Sequence, residues 1–315
     1  MSGSRLPRLL GVGGAHIDRR GRVAGVHVAG ASNPGAMRED VGGGVFNALR
    51  SAVQRGVAAS LVSVRGGDLA GETVARMVAQ AGIEDHSAVF LDRSTASYTA
   101  LLDAEGDLIT ALADMVLYEV AFPRQLRRSK VRDAAAASDA VLCDANLPAA
   151  ALRTLLSHAA DKPVYAIAIS PAKAVRLDGM LEQVACLFMN RREAAALGKL
   201  PADADPAEII AALRDQGLRS GVITAGSQPL TLFGADFAVT VSPPVPRMVS
   251  DVTGAGDALA GATVAAMMHG AHLLAAVREG VAAAILTLES SKAAAELSTA
   301  EFAAALARVP QPLSL

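Results

Sequence analysis

The chain has no tryptophan, and Phe, Tyr and Trp together make up only 3% of its 315 residues. Its interior must be filled by Ala, Val and Leu, and with 52% hydrophobic residues there are enough for a sizeable core. There are two cysteines, Cys143 and Cys186, far apart and each within an apolar run. No pair has the spacing of a metal site, so a reduced, cytoplasmic protein is the expectation. Neither sign of charge dominates. The net charge is −2 and the pI about 6.3, which gives no footing for a polyanion, and no nucleic-acid partner is expected. The one basic run, Arg124, Arg127, Arg128, Lys130 and Arg132, reads as the solvated face of a helix. Long apolar stretches are missing as well. The longest, residues 258–268, falls far short of the roughly 20 residues of a membrane span, and the mean hydropathy of +0.35 comes largely from alanine. Residues 1–14 carry Arg5 and Arg8 before a short, glycine-rich apolar stretch. They read as a first strand and turn rather than a signal peptide.

Several catalytic signatures are also missing. There is no G-x-x-x-x-G-K-[ST], which excludes a P-loop nucleotide hydrolase. Gly11-Val-Gly-Gly-Ala-His16 resembles a dinucleotide fingerprint only faintly: its sixth position is His16, and no acidic residue closes a strand about 20 residues later. There is no H-E-x-x-H, and none of the six histidines stands in a metal or triad context.

What is present is an alternation. Short apolar runs at 9–13, 61–64, 140–143, 164–169, 186–189, 221–224 and 230–233 read as strands. Helical patterns lie at 45–55, 69–81, 147–158, 206–216, 255–269 and 274–288. Continuous apolar strands separated by helices predict a parallel sheet covered on both faces. Two segments break the rhythm. Residues 17–31 are interrupted by Gly21, Gly25 and Gly30. Residues 94–113 read as a hairpin turning at Asp103-Ala-Glu-Gly-Asp107. Together they predict a small second sheet outside the main one.

The most informative stretch is Ser250-Asp-Val-Thr-Gly-Ala-Gly-Asp-Ala-Leu-Ala-Gly261. A glycine-broken polar loop runs into an Ala-rich helix, with Asp257 at the junction. The free N–H groups of a helix start suit an anion. Gly254 and Gly256 let the backbone turn tightly and approach a ligand. A carboxylate beside such a hole can take a proton from an alcohol while the amides hold developing phosphate charge. A plain capped helix after a turn has the same local look.

These residues combine into a resemblance. The chain resembles the ribokinase (PfkB) family of sugar and nucleoside kinases over nearly its whole length. The residues that carry it are Asp251-Val-Thr-Gly-Ala-Gly-Asp257, Gly42-Gly-Gly-Val-Phe-Asn47, Asn190-Arg-Arg-Glu193 and Thr224-Ala-Gly226. Within the family it looks most like pseudouridine kinases. That likeness rests on Gly13-Gly-Ala-His-Ile-Asp18 with Asn33-Pro-Gly35, the hairpin from Ser97 into Ala113-Asp-Met115, Asp144-Ala-Asn146, and Ile169-Ser-Pro-Ala-Lys173. Phe46 stands where those kinases usually carry a basic residue, and Val252 where many members have Thr.

The resemblance implies a ribokinase-like three-layer α/β/α sandwich with a mainly parallel sheet and a small β lid. It implies one domain over residues 1–315, with lid segments near 16–35 and 92–118. It implies phosphoryl transfer from ATP with Mg²⁺, and a further K⁺, to the hydroxyl of a nucleoside. Asp257 would be the base, and the amides around Gly254, Ala255 and Gly256 the anion hole. Asp18, Gly42, Gly43, Asn47, Ser97 and Lys173 would meet the substrate, with Thr95 and Ser170 near its base. Asn190, Glu193, Thr224, Gly226 and Thr253 would meet the nucleotide. Glu193 would act on Mg²⁺ through water and Asp251 on a monovalent cation. Residues 280–291 would wall the adenine pocket, and a homodimer through the lid is expected. A ribokinase, another nucleoside kinase, or a non-catalytic nucleotide- or sugar-binding protein are the other readings these residues allow.

Overall fold

The computed structural model describes residues 5–159, 161–250, 252–290 and 298–315. The apolar runs assemble into a ten-stranded sheet. From edge to edge its strands are Glu84–Asp85, Ala58–Val62, Arg8–Val12, Ala140–Asp144, Val164–Ile167, Cys186–Asn190, Gly221–Ala225, Gln228–Phe233, Ala238–Val241 and Leu313–Ser314. The first seven are parallel, and the last three are added antiparallel. Ala140–Asp144 and Val164–Ile167 are buried at every residue. This is why they read as unbroken apolar runs rather than alternating ones.

Successive residues of one strand feed opposite cores. Leu9 and Leu142 pack on one face, Leu10 and Val141 on the other. The first core is closed by Val45, Val74, Val264, Val281 and Phe302, from helices Gly44–Gln54, Leu69–Gln80, Ala255–Met268, Leu273–Glu289 and Thr299–Arg308. The second is closed by Leu117, Val131, Leu152, Ala194 and Ile209, from helices Val116–Gln125, Ser129–Ala137, Ala149–His158, Arg191–Leu197 and Pro206–Asp215. The result is the expected α/β/α sandwich. Small residues let the first layer close tightly. A Cβ at Gly261 would stand 2.0 Å from the carbonyl oxygen of Ala48, so only glycine lets the two helices meet there.

Arg8–Val12 lies between Ala58–Val62 and Ala140–Asp144. The chain builds outward from it on one side, then crosses to the other. Such a reversal opens a crevice at the carboxyl ends of the two strands, where α/β sheets bind ligands.

The two segments outside the rhythm form a separate four-stranded sheet, in the order Gly35–Gly42, His16–Val23, Ser97–Leu102, Leu108–Asp114. Its middle pair is parallel and the outer pairs antiparallel. The strand Gly35–Gly42 extends beyond the expected boundary at 35. It is mostly exposed and carries Arg38, Glu39 and Asp40 in its middle, an edge strand with no apolar run to announce it. The run at 61–64 is divided: Ala58–Val62 stays in the main sheet, and Val64–Gly66 pairs with Ala88–Phe90. The basic run spans the end of one helix and the start of the next, and all five cations are exposed. No helix among the described residues is long and apolar enough to cross a membrane.

Candidate active site

A cleft of about 540 Å³ opens at the crevice, roofed by the small sheet. That volume is in the range that takes a small molecule. Along the roof, Asp40, Asp18, Tyr98 and Ala113 form one cross-strand row. Asp18, Tyr98 and Ala113 line the cleft, and His16, two residues before Asp18, shares their face. The floor carries Asp257 and Gly256 from helix Ala255–Met268, with Thr253 just before it, and Gly43, Gly44 and Asn47 from the start of the glycine helix, Gly44–Gln54. Asn146, Ser170 and Lys173 stand at one wall, Asn190, Glu193 and Thr224 at another.

One carboxylate ties these parts together. Asp144 ends its strand fully buried. Its Oδ2 accepts from the amide of Gly14 at 3.0 Å and that of Val45 at 3.1 Å, and its Oδ1 from the amide of Asn146 at 3.0 Å. It thus joins the turn after the first strand, the start of the glycine helix and its own loop. Gly43 makes the junction possible. It takes φ 118°, and a Cβ there would lie 2.2 Å from the carbonyl oxygen of Gly14.

The second helix start, at Ala255, has no side-chain cap, as is also true of the helices at Gly44, Val116, Ser129, Ala149 and Leu273; what marks it is Gly254 before it, with φ 76°. A Cβ on Gly256 would meet nothing within 4 Å, so the backbone is open to whatever enters. Asp257 projects from the first turn. Its Oδ2 accepts from Asn47 Nδ2 at 3.0 Å. Asn47 Oδ1, buried beside it, finds no donor among the described residues. A Cβ on Gly44 would lie 3.4 Å from Asp144 Oδ2 and 3.5 Å from Asp257 Oδ1, so both carboxylates converge on this glycine. The surrounding protein strips water from Asp257 and pushes its pKa up to about 7. The charges of Asp144 and Asp18 add to the rise, against the Asn47 hydrogen bond and His16. A carboxylate poised near neutrality is fit to accept a proton.

Other groups have clear partners. Lys173 Nζ donates to Asn146 Oδ1 at 2.6 Å, and burial lowers its pKa, against the nearby charge of Asp144. Glu193 and Asn190 form a reciprocal helix cap. The Asn190 amide and Nδ2 each donate to the Glu193 carboxylate at 2.7 Å, and the Glu193 amide donates to Asn190 Oδ1. Burial raises the Glu193 pKa. Ile169 bounds the cleft with φ 71°, a costly conformation for a β-branched residue.

Of the residues picked from sequence, Asp257, Gly256, Asp18, Gly43, Asn47, Lys173, Ser170, Asn190, Glu193, Thr224 and Thr253 meet at this cleft. Gly42 sits behind Asp18, where a Cβ would strike its carboxylate. Gly254 and Ala255 lie behind Gly256 in the same turn, and Gly226 is in the turn after Gly221–Ala225. Ser97 pairs in register with Ile17, on the opposite face of the roof from Tyr98, and is not in the lining. Thr95 is buried, with its hydroxyl bonded to the helix-capping Asp68. Residues 280–289 belong to a helix packed in the core and do not line the cleft, while Ser291 and Asp251 lie outside the described residues. Phe46 is fully buried, with the Arg50 guanidinium over its ring, and does not reach the cleft. Two residues go beyond the sequence reading. Asp144 organises the floor; the signal for it was an acidic residue closing an apolar strand. His16 joins the lining of the cleft beside Asp18.

The raised pKa of Asp257 has a consequence for stability. The unfolded carboxyl ionises from about 3.8 upward, while the folded one keeps its proton to about 7. Ionisation therefore costs folding free energy that accumulates between those values and is complete above them. Asp257→Asn should raise the melting temperature at pH 8 and leave it nearly unchanged at pH 4. Equal shifts at both pH values, measured by scanning calorimetry, would contradict this.

Comparison with known proteins gives the same picture. Residues 7–300 match the model of the pfkB family of carbohydrate kinases. A carbohydrate kinase from Agrobacterium tumefaciens is 45% identical, with a TM-score of 0.86 over 98% of this chain and 100% of that one. The pseudouridine kinase of Escherichia coli is 28% identical over 277 residues, 85% of this chain and 86% of its own length. The fold also matches Arabidopsis thaliana ribokinase complexed with ribose and ATP, at 19% identity and a TM-score of 0.84 over 96% of this chain and 99% of that one. With its helix-start carboxylate, its glycine helix and a family match along nearly the whole chain, this protein belongs to the pfkB family of carbohydrate kinases.

Proposed function

We propose that the chain transfers the γ-phosphoryl group of ATP to the 5′ hydroxyl of a nucleoside, with pseudouridine as the preferred acceptor. The observation that carries the reading is Asp257, raised to a pKa of about 7 at an uncapped helix start and facing Asp18 across one cleft. As the 5′ oxygen attacks the γ-phosphorus, its proton passes to the Asp257 carboxylate. The bond from the γ-phosphorus to the bridging oxygen breaks, and ADP leaves with that electron pair. The amides of Gly254, Ala255 and Gly256 receive the charge on the transferred group. Asp18, which can accept two hydrogen bonds at once, takes hydroxyls of the sugar, with Gly42, Gly43 and Asn47 shaping that end. The orphaned Asn47 Oδ1 is an acceptor that a bound hydroxyl satisfies.

Asn190, Glu193, Thr224, Gly226 and Thr253 form the nucleotide side. Both Glu193 oxygens already accept from Asn190 yet keep lone pairs, which suits a water on Mg²⁺ rather than the ion itself. Bound with ATP, Mg²⁺ supplies neutralisation of phosphate charge. Similarity to the E. coli pseudouridine kinase supports the choice of acceptor. So do polar groups at the wall: Ser170, Lys173 and, in the place expected for Ser97, Tyr98.

A second assembly-level reading concerns the roof. On the face away from the cleft, Met37 and Leu112 are 58% and 71% exposed, beside Leu101. We infer that two copies pair through this sheet. Light scattering at micromolar concentration should give twice the chain mass, reduced to one by Leu112→Asp; a monomeric wild type contradicts it.

Two further outcomes follow for the reaction. Asp257→Asn should retain both ligands while kcat falls about 10²-fold or more. In the wild type, kcat/KM for the nucleoside should rise with pH through an apparent pKa near 7 and level off above it, because only the ionised carboxylate accepts a proton. Near-normal turnover in the variant, or a pH-independent profile, removes Asp257 as base. The acceptor is tested by competition among pseudouridine, uridine, adenosine and ribose at limiting ATP. Pseudouridine should lead. A site built around its extra ring N–H should reject uridine by as much as ~10⁴-fold. A higher kcat/KM for ribose or adenosine overturns the pseudouridine assignment and leaves the phosphotransferase.

A further inference from the structure

Behind Asp18 lies a buried polar chain that the transfer reaction does not use directly. Tyr118 is fully buried in helix Val116–Gln125, 102 residues from His16 in sequence. Its Oη accepts from the amide of Ala15 at 3.0 Å and lies 3.1 Å from His16 Nδ1. On the far side of the ring, His16 Nε2 lies 3.2 Å from Asp18 Oδ1. His16 is 7% exposed and lines the cleft beside Asp18. Asp18 Oδ1 is itself buried and has no hydrogen-bond partner among the described residues, so its contact with Nε2 is one of distance and charge rather than an aligned hydrogen bond.

The neighbours along this chain favour one direction. One lone pair of Oη is already occupied by the Ala15 amide. Burial, and then the charge of Asp144, hold the phenol pKa well above its ordinary value, so the hydroxyl keeps its proton. Nδ1 is an acceptor for that proton, and the Ser63 hydroxyl is a second neighbour of Oη. At the other end, the carboxylate oxygen at 3.2 Å is better matched by a proton on Nε2 than by a bare nitrogen, whose lone pair would repel it. One tautomer, with its proton on Nε2, meets both contacts. His16 and Asp18 stand two apart on one strand, so they share a face, and the strand fixes their separation.

We propose that Tyr118 and His16 are positioning residues: Tyr118 sets the imidazole with its proton on Nε2, and Nε2 holds the Asp18 carboxylate in the orientation that receives the substrate's sugar hydroxyls. The proposal rests on the reading of Asp18 as hydroxyl acceptor. It places specificity for the acceptor partly in a helix on the far side of the sheet, away from the nucleotide. Tyr118→Phe removes one oxygen and keeps the shape of the ring.

The test has three parts. The first uses wild-type protein labelled with ¹⁵N-histidine, with the His16 signals assigned by their loss in His16→Gln. The proton should be found on Nε2; a bare Nε2 overturns the chain. The second is steady-state kinetics of Tyr118→Phe with whichever of pseudouridine, uridine, adenosine and ribose the wild type prefers. Loss of a buried hydrogen bond in the chain should raise KM for that acceptor roughly five- to tenfold, with KM for ATP unchanged. No change in the acceptor KM overturns the proposal, and an equal rise in both KM values marks Tyr118 as merely structural. The third is Asp18→Ala. If it raises the acceptor KM while Tyr118→Phe does not, Asp18 stands and the chain falls. If Asp18→Ala leaves the acceptor KM unaltered, the reading of Asp18 falls, and the proposal with it.

Discussion

A buried carboxylate, Asp144, holds the site in place. It accepts three backbone N–H groups from three parts of the chain, separated by up to 130 residues. Removing water from a charge is expensive unless hydrogen bonds replace it, and three amides replace it here. The position is set by topology: the sheet reverses direction beside Arg8–Val12, and Asp144 closes the neighbouring strand at that point. The first strand's turn and the glycine helix are therefore registered against each other before any ligand binds.

The two helix starts at the floor serve different ends. In the glycine helix the amide of Val45 is consumed by Asp144, and that of Phe46 by the Gly14 carbonyl at 3.3 Å. That helix positions Asn47 and makes room for two carboxylates. The helix from Ala255 keeps an uncapped start, the place where incoming negative charge gains most. Asp257 stands between the two, and the price of its burial is a pKa near neutrality. Asp144 contributes to that shift by charge alone, so the group that assembles the floor also tunes the proposed base.

Much of this was legible in the sequence. The runs around Val141 and Leu187 read as interior strands because both faces of the sheet are covered and no alternation survives. Gly254, Gly256 and Asp257 were legible because their chemistry is local to one turn. The misses share a physical cause. Gly35–Gly42 is an exposed edge strand without an apolar pattern. Helix Val116–Gln125 contains Pro123 and, with Leu117, Tyr118, Val120 and Phe122, has no polar stripe to mark a face. Asp144 and His16 stood in motifs that carry the family likeness, but no role was assigned to either. Their roles depend on partners about 100 residues away, and spacing along the chain carries no trace of such contacts. Ser97 was one position off, and in a strand one position is the other face.

The account is tested most directly by the pH profile of kcat/KM in Asp144→Asn. Asn keeps the shape and one acceptor but removes the charge that helps hold Asp257 protonated. The account predicts that the acidic limb of the profile moves to lower pH than in the wild type, with a lower plateau because the amides of Gly14 and Val45 lose their partner. A variant whose limb stays at the wild-type pH, with undiminished activity, would contradict it.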